Sequence, residues 1–311
     1  MAVDGVLLVN LGTPSAPTAQ AVRRYLAEFL SDPRVVELPR LLWLPLLYGI
    51  VLPVRAKRSA AKYAAIWTPE GSPLAVHTAR QADLLRSALP EVRVEYAMRY
   101  GEAGIDSGLA KLSGCERITV LPLYPQYARS TAESVRDCLP AGVRMIENFH
   151  DHPAYIGALA SSVRRHWDSN GRGDLLVMSF HGLPRRAVER GDPYEEQCRA
   201  TASLLASALE LRASDWKLTF QSRFGAAEWL QPYTQPSLIA IAKQGTNCVD
   251  VVCPGFVSDC LETLEEIGIV ARHAFLAAGG REFHLLPCLN ESPEWIAALA
   301  SLARDPRGLQ A

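Results

Sequence analysis

No two of the seven cysteines are spaced as a C-x-x-C pair, and no apolar stretch reaches the roughly 18 residues that a bilayer-crossing helix needs. Neither sign of charge is in excess either, with 32 Lys and Arg against 33 Asp and Glu and a formal charge of −1. The first absence argues against a zinc clip or redox pair. The odd, scattered set (Cys115, Cys138, Cys198, Cys248, Cys253, Cys260 and Cys288) reads as reduced thiols of a cytoplasmic protein. The balanced charge argues against nucleic acid, which calls for a basic face. Residues 1–10 hold no basic segment leading into an apolar run and a small-residue cleavage site, so no secretory signal is expected. Nucleotide fingerprints are missing too: no G-x-G-x-x-G follows the first apolar segment and no G-x-x-x-x-G-K-[ST] occurs anywhere.

What the chain does have is length and repetition. At 311 residues it exceeds what one core usually organises, which predicts two halves sharing a ligand cleft. Continuous apolar segments at 5–10, 92–98, 117–123 and 143–148, then at 174–180, 217–221, 248–253 and 282–286, alternate with longer helical patterns. Runs apolar at every position are strands covered on both faces, as in parallel sheets. The expected fold is therefore α/β: two Rossmann-like domains, each a four-stranded parallel sheet flanked by helices. The division falls at 1–150 and 151–290, with a C-terminal helix over 291–311 packing back on the first half. Thr18 and Asp151 are the expected N-caps of helices at AQAVRRYLAEFL and AYIGALASSVRRHW, with Pro17 and Pro153 near their first turns. GVLLVNLGTP and DLLVMSFHGLP, opening the two halves, echo each other as a buried strand running into a Gly-Pro turn.

The segment 41–53, LLWLPLLYGIVLP, is followed by Arg55, Lys57 and Arg58. It is too short to span a bilayer, and it reads either as core or as an apolar lip resting on a membrane surface.

His181 directly follows LLVMSF, at the carboxyl end of a buried strand, where open α/β sheets bind ligands. It is either bonded to a loop carbonyl or functional. His150 and His152 surround a helix cap. His77, His166, His273 and His284 lie in helical or strand-edge contexts with no acidic cluster nearby. In PGFVSDCLETLEEIG, Asp259, Glu262 and Glu266 fall on one face of an α-helix within about 60°. Such a face is solvated unless the approach is buried, and VDVVCPGF is an apolar approach. An imidazole facing carboxylates suits a divalent first-row metal. It also suits proton transfer, since histidine titrates at roughly pH 6.5 when unperturbed.

Nearly the whole chain resembles the ferrochelatase family. The matching segments are LLVNLGTP, MRY at 98–100, LPLYPQY at 121–127, SFHGLP at 179–184, GDPY at 191–194, FQSRFG at 220–225 with Trp229, and PGFVSDCLETLEEI at 254–267. The resemblance implies a lyase that inserts Fe2+ into protoporphyrin IX, the last step of haem biosynthesis, with porphyrin and ferrous iron as its partners. His181 and Glu262 would then be the catalytic and metal-contacting pair, and Asp259 and Glu266 an acidic path. Leu11, Tyr124, Trp229 and Phe256 would be walls of the porphyrin site, with Arg99 and Tyr100 polar groups near it. Cys260 stands where some relatives have a histidine, and Leu11 where others have methionine or tyrosine. Arg129 occupies the position of an iron–sulfur cysteine of the animal enzymes, and their cysteine-rich tail has no counterpart before Ala311. No iron–sulfur cluster and no cofactor beyond substrate iron are therefore expected. The alternatives are a chelatase for coproporphyrin or another tetrapyrrole, and a non-catalytic porphyrin or haem carrier. A cytoplasmic location with peripheral membrane contact through 41–53 completes the expectation.

Overall fold

The computed structural model describes residues 3–225 and 227–304. The chain divides into two compact units. One takes in the residues up to Leu123, Ala128–Asn148 and those from Leu299 on; the other takes in Tyr124–Tyr127 and Phe149–Ala298. The short excursion at 124–127 and the change of unit inside the helix Pro293–Arg304 are not visible in the sequence. Residues 305–311 of the expected terminal helix lie outside the described residues.

The first unit holds β1 (Asp4–Thr13), β2 (Val92–Gly101), β3 (Ile118–Pro122) and β4 (Arg144–Met145), all parallel, in the order β2-β1-β3-β4. Leu7, Leu8 and Val9 on the central strand are fully buried, as continuous apolar runs require. The strand expected over 143–148 shrinks to two residues, because it lies at the sheet edge and β3 ends at Pro122, which has no N–H to extend the ladder. The helix Ala19–Ser31 starts as expected: the Thr18 hydroxyl accepts from the Ala21 N–H at 3.3 Å. The helix Pro153–Asn170 in the second unit is capped one residue later than expected, since Pro153 takes the first helical position and His152, not Asp151, caps through its ring nitrogen.

The segment 41–53 is neither wholly core nor wholly lip. It is a helix Arg40–Leu46, a π-helical turn Leu47–Val51 and the start of the helix Leu52–Ile66. Trp43, Leu47 and Leu52 are buried, and the Trp43 indole donates to the Leu30 carbonyl at 2.6 Å. The opposite face leaves Leu41 91%, Leu42 74% and Ile50 60% exposed.

The second unit repeats the arrangement with β5 (Leu175–His181), β6 (Trp216–Gln221), β7 (Cys248–Val252) and β8 (Glu282–Leu285), parallel and ordered β6-β5-β7-β8. Val177, Val249 and Val251 pack with Ile267, Ala271, Phe275 and Phe283 in its core.

Glycine is obligatory where β1 ends. Gly12 has φ +108°, and a Cβ there would lie 1.9 Å from the Tyr100 carbonyl oxygen of the neighbouring strand. Gly157, exposed in the middle of the helix Pro153–Asn170, has nothing within 4 Å of such a Cβ. Gly12→Ala is therefore expected to lower the urea-unfolding free energy by at least ~2 kcal/mol, through strain at a backbone conformation alanine resists. Gly157→Ala should raise it by about 0.5–1 kcal/mol.

Candidate active site

His181 is the last residue of β5, half-buried, with Nδ1 2.6 Å from the Gly182 carbonyl oxygen. A carbonyl can only accept, so Nδ1 carries a proton, and in the neutral ring Nε2 is the nitrogen with the lone pair. The two readings of this histidine thus coexist: the bond to a loop carbonyl is what aims and tautomerises the ring. Gly182 permits the turn, because a Cβ there would meet the Gln221 carbonyl oxygen at 2.6 Å and the Trp229 ring at 3.1 Å. Its own N–H donates to that same carbonyl at 2.7 Å.

Opposite lies the segment carrying the acids. The expected α-helix is instead a π-helix over Glu262–Ala271, continuing as a short α-helix Arg272–Ala277. Its i→i+5 bonding widens the turn and brings residues four and five apart onto one face. Glu262 and Glu266 are held by consecutive residues at the end of β6. The Gln221 amide donates to the Glu262 carbonyl oxygen at 2.8 Å. Ser222, with a φ of +67°, donates its N–H to one Glu266 carboxylate oxygen at 2.7 Å and its hydroxyl to the other at 2.5 Å. Gln221 is also the β6 partner of His181, and its amide oxygen accepts from the Ser179 hydroxyl at 2.8 Å. One buried amide therefore joins β5, β6 and the first residue of the π-helix. Sequence reasoning did not single out Gln221 or Ser222; the only signal was their place in FQSRFG.

Asp259 lies before the helix, not on it, so the three acids do not form a single ladder. It is buried, and its carboxylate accepts from the Asn290 amide at 2.7 Å, the Thr263 hydroxyl at 3.0 Å and the Cys288 N–H at 3.4 Å. Cys260 is buried beside Glu262. Burial first, and then the Glu262 carboxylate, push its thiol well up, so it stays protonated rather than acting as a thiolate ligand.

The Phe256 ring lies 6.3 Å from the His181 ring at 57°. Trp229 is half-buried against Gly182 and donates its indole N–H to the Phe224 carbonyl at 2.8 Å. Tyr124 is half-buried in the 124–127 segment of the same unit. In the first unit, Leu11 is half-buried near the end of β1. Arg99 and Tyr100 commit their polar atoms to a buried network: the guanidinium donates to Asp32 at 2.6 Å, the phenol to the same oxygen at 2.7 Å, and Ser134 to it at 2.8 Å. Burial raises the Asp32 carboxyl, but bonds from Tyr100, the Arg34 N–H and Ser134, with the Arg99 charge, outweigh it and hold the group below the usual carboxylate range. An open cleft of about 450 Å³ beside this network is lined by charges of both signs, including Glu28, Arg40 and Asp137. Those are not the flat apolar walls that a macrocycle stacks on.

One expectation about histidines is overturned. His166 and His284 do have an acid between them: both rings face Asp250, which the sequence hid inside the apolar strand CVDVV. Sheet pairing sets Asp250 opposite His284, a relation no local pattern carries.

Two parallel four-stranded sheets flanked by helices, with the donors on strand ends and the following helix, define a chelatase fold. The solved structures agree at that level. SirB from Bacillus subtilis with Fe3+ superposes with a TM-score of 0.55 at 14% identity, covering 97% of this chain and 94% of that one. CbiX, described as the terminal enzyme of sirohaem biosynthesis in denitrifying bacteria, superposes at 0.52 with 16% identity over 96% and 98%. In sequence, ferrochelatases from Aromatoleum aromaticum and an Azoarcus species are each 58% identical, over 98% of this chain and 88% of theirs. The sequence model of the ferrochelatase family matches residues 3–306. The chain belongs to the ferrochelatase family, enzymes that insert iron into a porphyrin in haem biosynthesis.

The Gln221 brace gives a direct test. Gln221→Met keeps the volume but strips the amide, leaving the Ser179 hydroxyl and the Glu262 carbonyl short of a partner. It should lower the unfolding free energy in urea by about 1–3 kcal/mol. Ser222→Ala, at a half-buried position that keeps the backbone N–H bond, should lower it by roughly 1 kcal/mol.

Proposed function

We propose that the chain inserts Fe2+ into protoporphyrin IX to give protohaem, with His181 and Glu262 as the catalytic and iron-contacting pair. The observation that carries this reading is the His181–Gly182 bond. It leaves a basic Nε2 at the carboxyl end of β5, beside the residue that holds Glu262.

Metal insertion requires the ring to lose two pyrrole N–H protons while the iron sheds water. His181 Nε2 accepts the two pyrrole protons in turn, releasing the first to solvent before taking the second, and the Glu262 carboxylate replaces water on the ferrous ion. Glu266, whose two carboxylate oxygens already accept from Ser222, is the next acceptor on the same face. It extends the acidic path by which a proton leaves or a metal arrives. Asp259 contributes to that path mainly by fixing the start of the π-helix through Thr263. Phe256, Trp229 and Tyr124 offer the aromatic surface that a broad apolar disc stacks on, and Leu11 is a further apolar contact. Arg99 and Tyr100 are polar groups of the porphyrin site, anchored within the first unit through Asp32. Iron remains ferrous throughout, so the insertion step needs no oxidant or reductant; no nucleotide and no iron–sulfur cluster enter the proposed reaction. The seven cysteines are free thiols, and four of them are buried.

The protein is proposed to work in the cytoplasm without nucleic acid, touching the membrane peripherally through 41–53. Among the described residues no helix is long and apolar enough to cross a membrane. Leu41, Leu42, Leu46 and Ile50 stand exposed on one segment, followed by Arg55, Lys57 and Arg58, a pattern suited to the headgroup region of an anionic bilayer. The more apolar protoporphyrin, rather than coproporphyrin, fits this location.

Anaerobic mixing with ferrous iron and porphyrin tests the activity. Porphyrin fluorescence should be consumed over many turnovers, faster for protoporphyrin than for coproporphyrin. Consumption that stops at one porphyrin per chain would make the protein a carrier. His181→Ala and Glu262→Gln should each slow insertion by about 10²–10⁴-fold while porphyrin still quenches tryptophan fluorescence. Wild-type rates in either variant would remove that residue from the mechanism.

Vesicle flotation tests the membrane contact. The wild type should float with anionic vesicles, and Leu41→Ser with Leu42→Ser should remove most of that fraction. Equal recovery with and without vesicles refutes the contact.

A further inference from the structure

A second constellation of metal-binding side chains lies in the second unit, away from His181. Asp250, in the middle of β7, pairs with Leu176 of β5, five residues before His181. At roughly 3.3 Å per residue the two positions are about 16 Å apart along the sheet. The Asp250 side chain is 1% exposed and asymmetric in its bonding. Its Oδ2 accepts from the Trp167 indole N–H at 2.7 Å and the Gly173 N–H at 2.8 Å. Gly173 is required for that approach, because a Cβ there would meet Asp250 at 3.0 Å. With Oδ2 saturated, the carboxylate is fixed in orientation and Oδ1 faces two imidazoles. His284 Nδ1 lies 2.9 Å from Oδ1, and His166 Nε2 lies 3.7 Å from it.

His166 Nε2 is buried and has no hydrogen-bond partner, which is costly for a polar atom unless something else occupies the space before it. The three donor atoms all fall within 4.8 Å of one another. Zinc bonds to nitrogen and oxygen are about 2.0–2.2 Å, so tetrahedral ligands sit about 3.3–3.6 Å apart, within reach of this arrangement by small rotations. The outer groups are also in place. Glu282 Oε2 lies 3.9 Å from His284 Nε2, where it can take the proton's hydrogen bond once Nδ1 binds a metal. The Asn170 amide lies 3.3 Å from His166 Nδ1 and can serve it in the same way after rotating its oxygen inward.

We propose that His166 Nε2, Asp250 Oδ1 and His284 Nδ1 form a binding site for a divalent zinc ion, separate from the site of iron insertion, with water in the fourth position. Two imidazoles and one carboxylate with an open position are a known zinc donor set. The ion would fasten the helix Pro153–Asn170 to β7 and β8. The Cys248 thiol, 3.8 Å from His284 Nδ1, is pushed up to about 11, mainly by burial, and so holds its proton at neutral pH.

The test uses full-length, chelator-treated protein without porphyrin, titrated with Zn2+ by calorimetry and by thermal melting. Wild type and His181→Ala should each bind one tight equivalent and melt higher with zinc. His166→Ala and His284→Ala should bind that equivalent at least tenfold more weakly and show no zinc-dependent shift, while inserting iron at the wild-type rate. Glu282→Ala, on an exposed side chain, should weaken binding by about tenfold. Unchanged zinc affinity in the His166, His284 and Glu282 variants, or loss of the tight equivalent only in His181→Ala, overturns the proposal.

Discussion

The amide of Gln221 is the constraint on which the geometry around His181 depends. It is 4% exposed, and its oxygen and nitrogen face in different directions: the oxygen accepts from Ser179 on β5, and the nitrogen donates to the main-chain carbonyl of Glu262. In a low-dielectric interior neither bond can be surrendered to water, so each satisfied group holds the next in place. The bond to Glu262 is to its backbone, which leaves its carboxylate unclaimed by the brace. The strand is thus locked to the helix without engaging the Glu262 carboxylate. Glu266 shows the contrasting arrangement, with both carboxylate oxygens cradled by Ser222.

A parallel sheet gives its two ends different chemistry. At the carboxyl ends of β5 and β7 the chain leaves the sheet in loops, so His181, Phe256 and the π-helix can gather where no ladder bond is needed. In mid-strand there is no such freedom, and a polar side chain must bring its own partners. Asp250 meets that demand by drawing on Trp167, Gly173 and His284, three residues from a helix, a loop and a strand. The same sheet therefore gathers polar side chains in its end loops and, within it, holds one carboxylate whose Oδ2 is saturated.

The sequence carried the strands well, because continuous apolar runs bounded by glycine and proline have few alternatives in a chain of this length. It carried His181 for the same reason, since a histidine closing such a run must emerge at a strand end. It did not carry the π-helix: ETLEEIGIVA has the composition of an α-helix, and its Ile267 and Ala271 join Phe275 and Phe283 in the core. Asp259 was placed on that helix by an α-helical wheel, whereas Thr263 and Asn290 hold it outside. Asp250 was invisible because an acid within VDVV reads as an interruption, and its partners lie 34 and 84 positions away along the chain. Local patterns find elements and their ends; contacts that need sheet register stay hidden.

The echo between LVNLGTP and MSFHGLP has a structural basis, and the strands beside it differ between the two halves. In both units the second strand in the sheet order runs into a glycine that a Cβ would drive into the adjacent strand: Gly12 against the Tyr100 carbonyl at 1.9 Å, Gly182 against the Gln221 carbonyl at 2.6 Å. The residue just before that glycine, Leu11 or His181, is half-exposed at the strand end, before a left-handed glycine (φ +108°) in the first unit and before one without a positive φ in the second. What differs is the neighbouring strand. Beside Gly182 it supplies Gln221 and Ser222, which reach forward to hold two acids. Beside Gly12 it supplies Arg99 and Tyr100, which turn back to Asp32 and Ser134. A close-packed glycine thus follows an imidazole backed by carboxylates in one unit, and an apolar side chain backed by a closed polar network in the other.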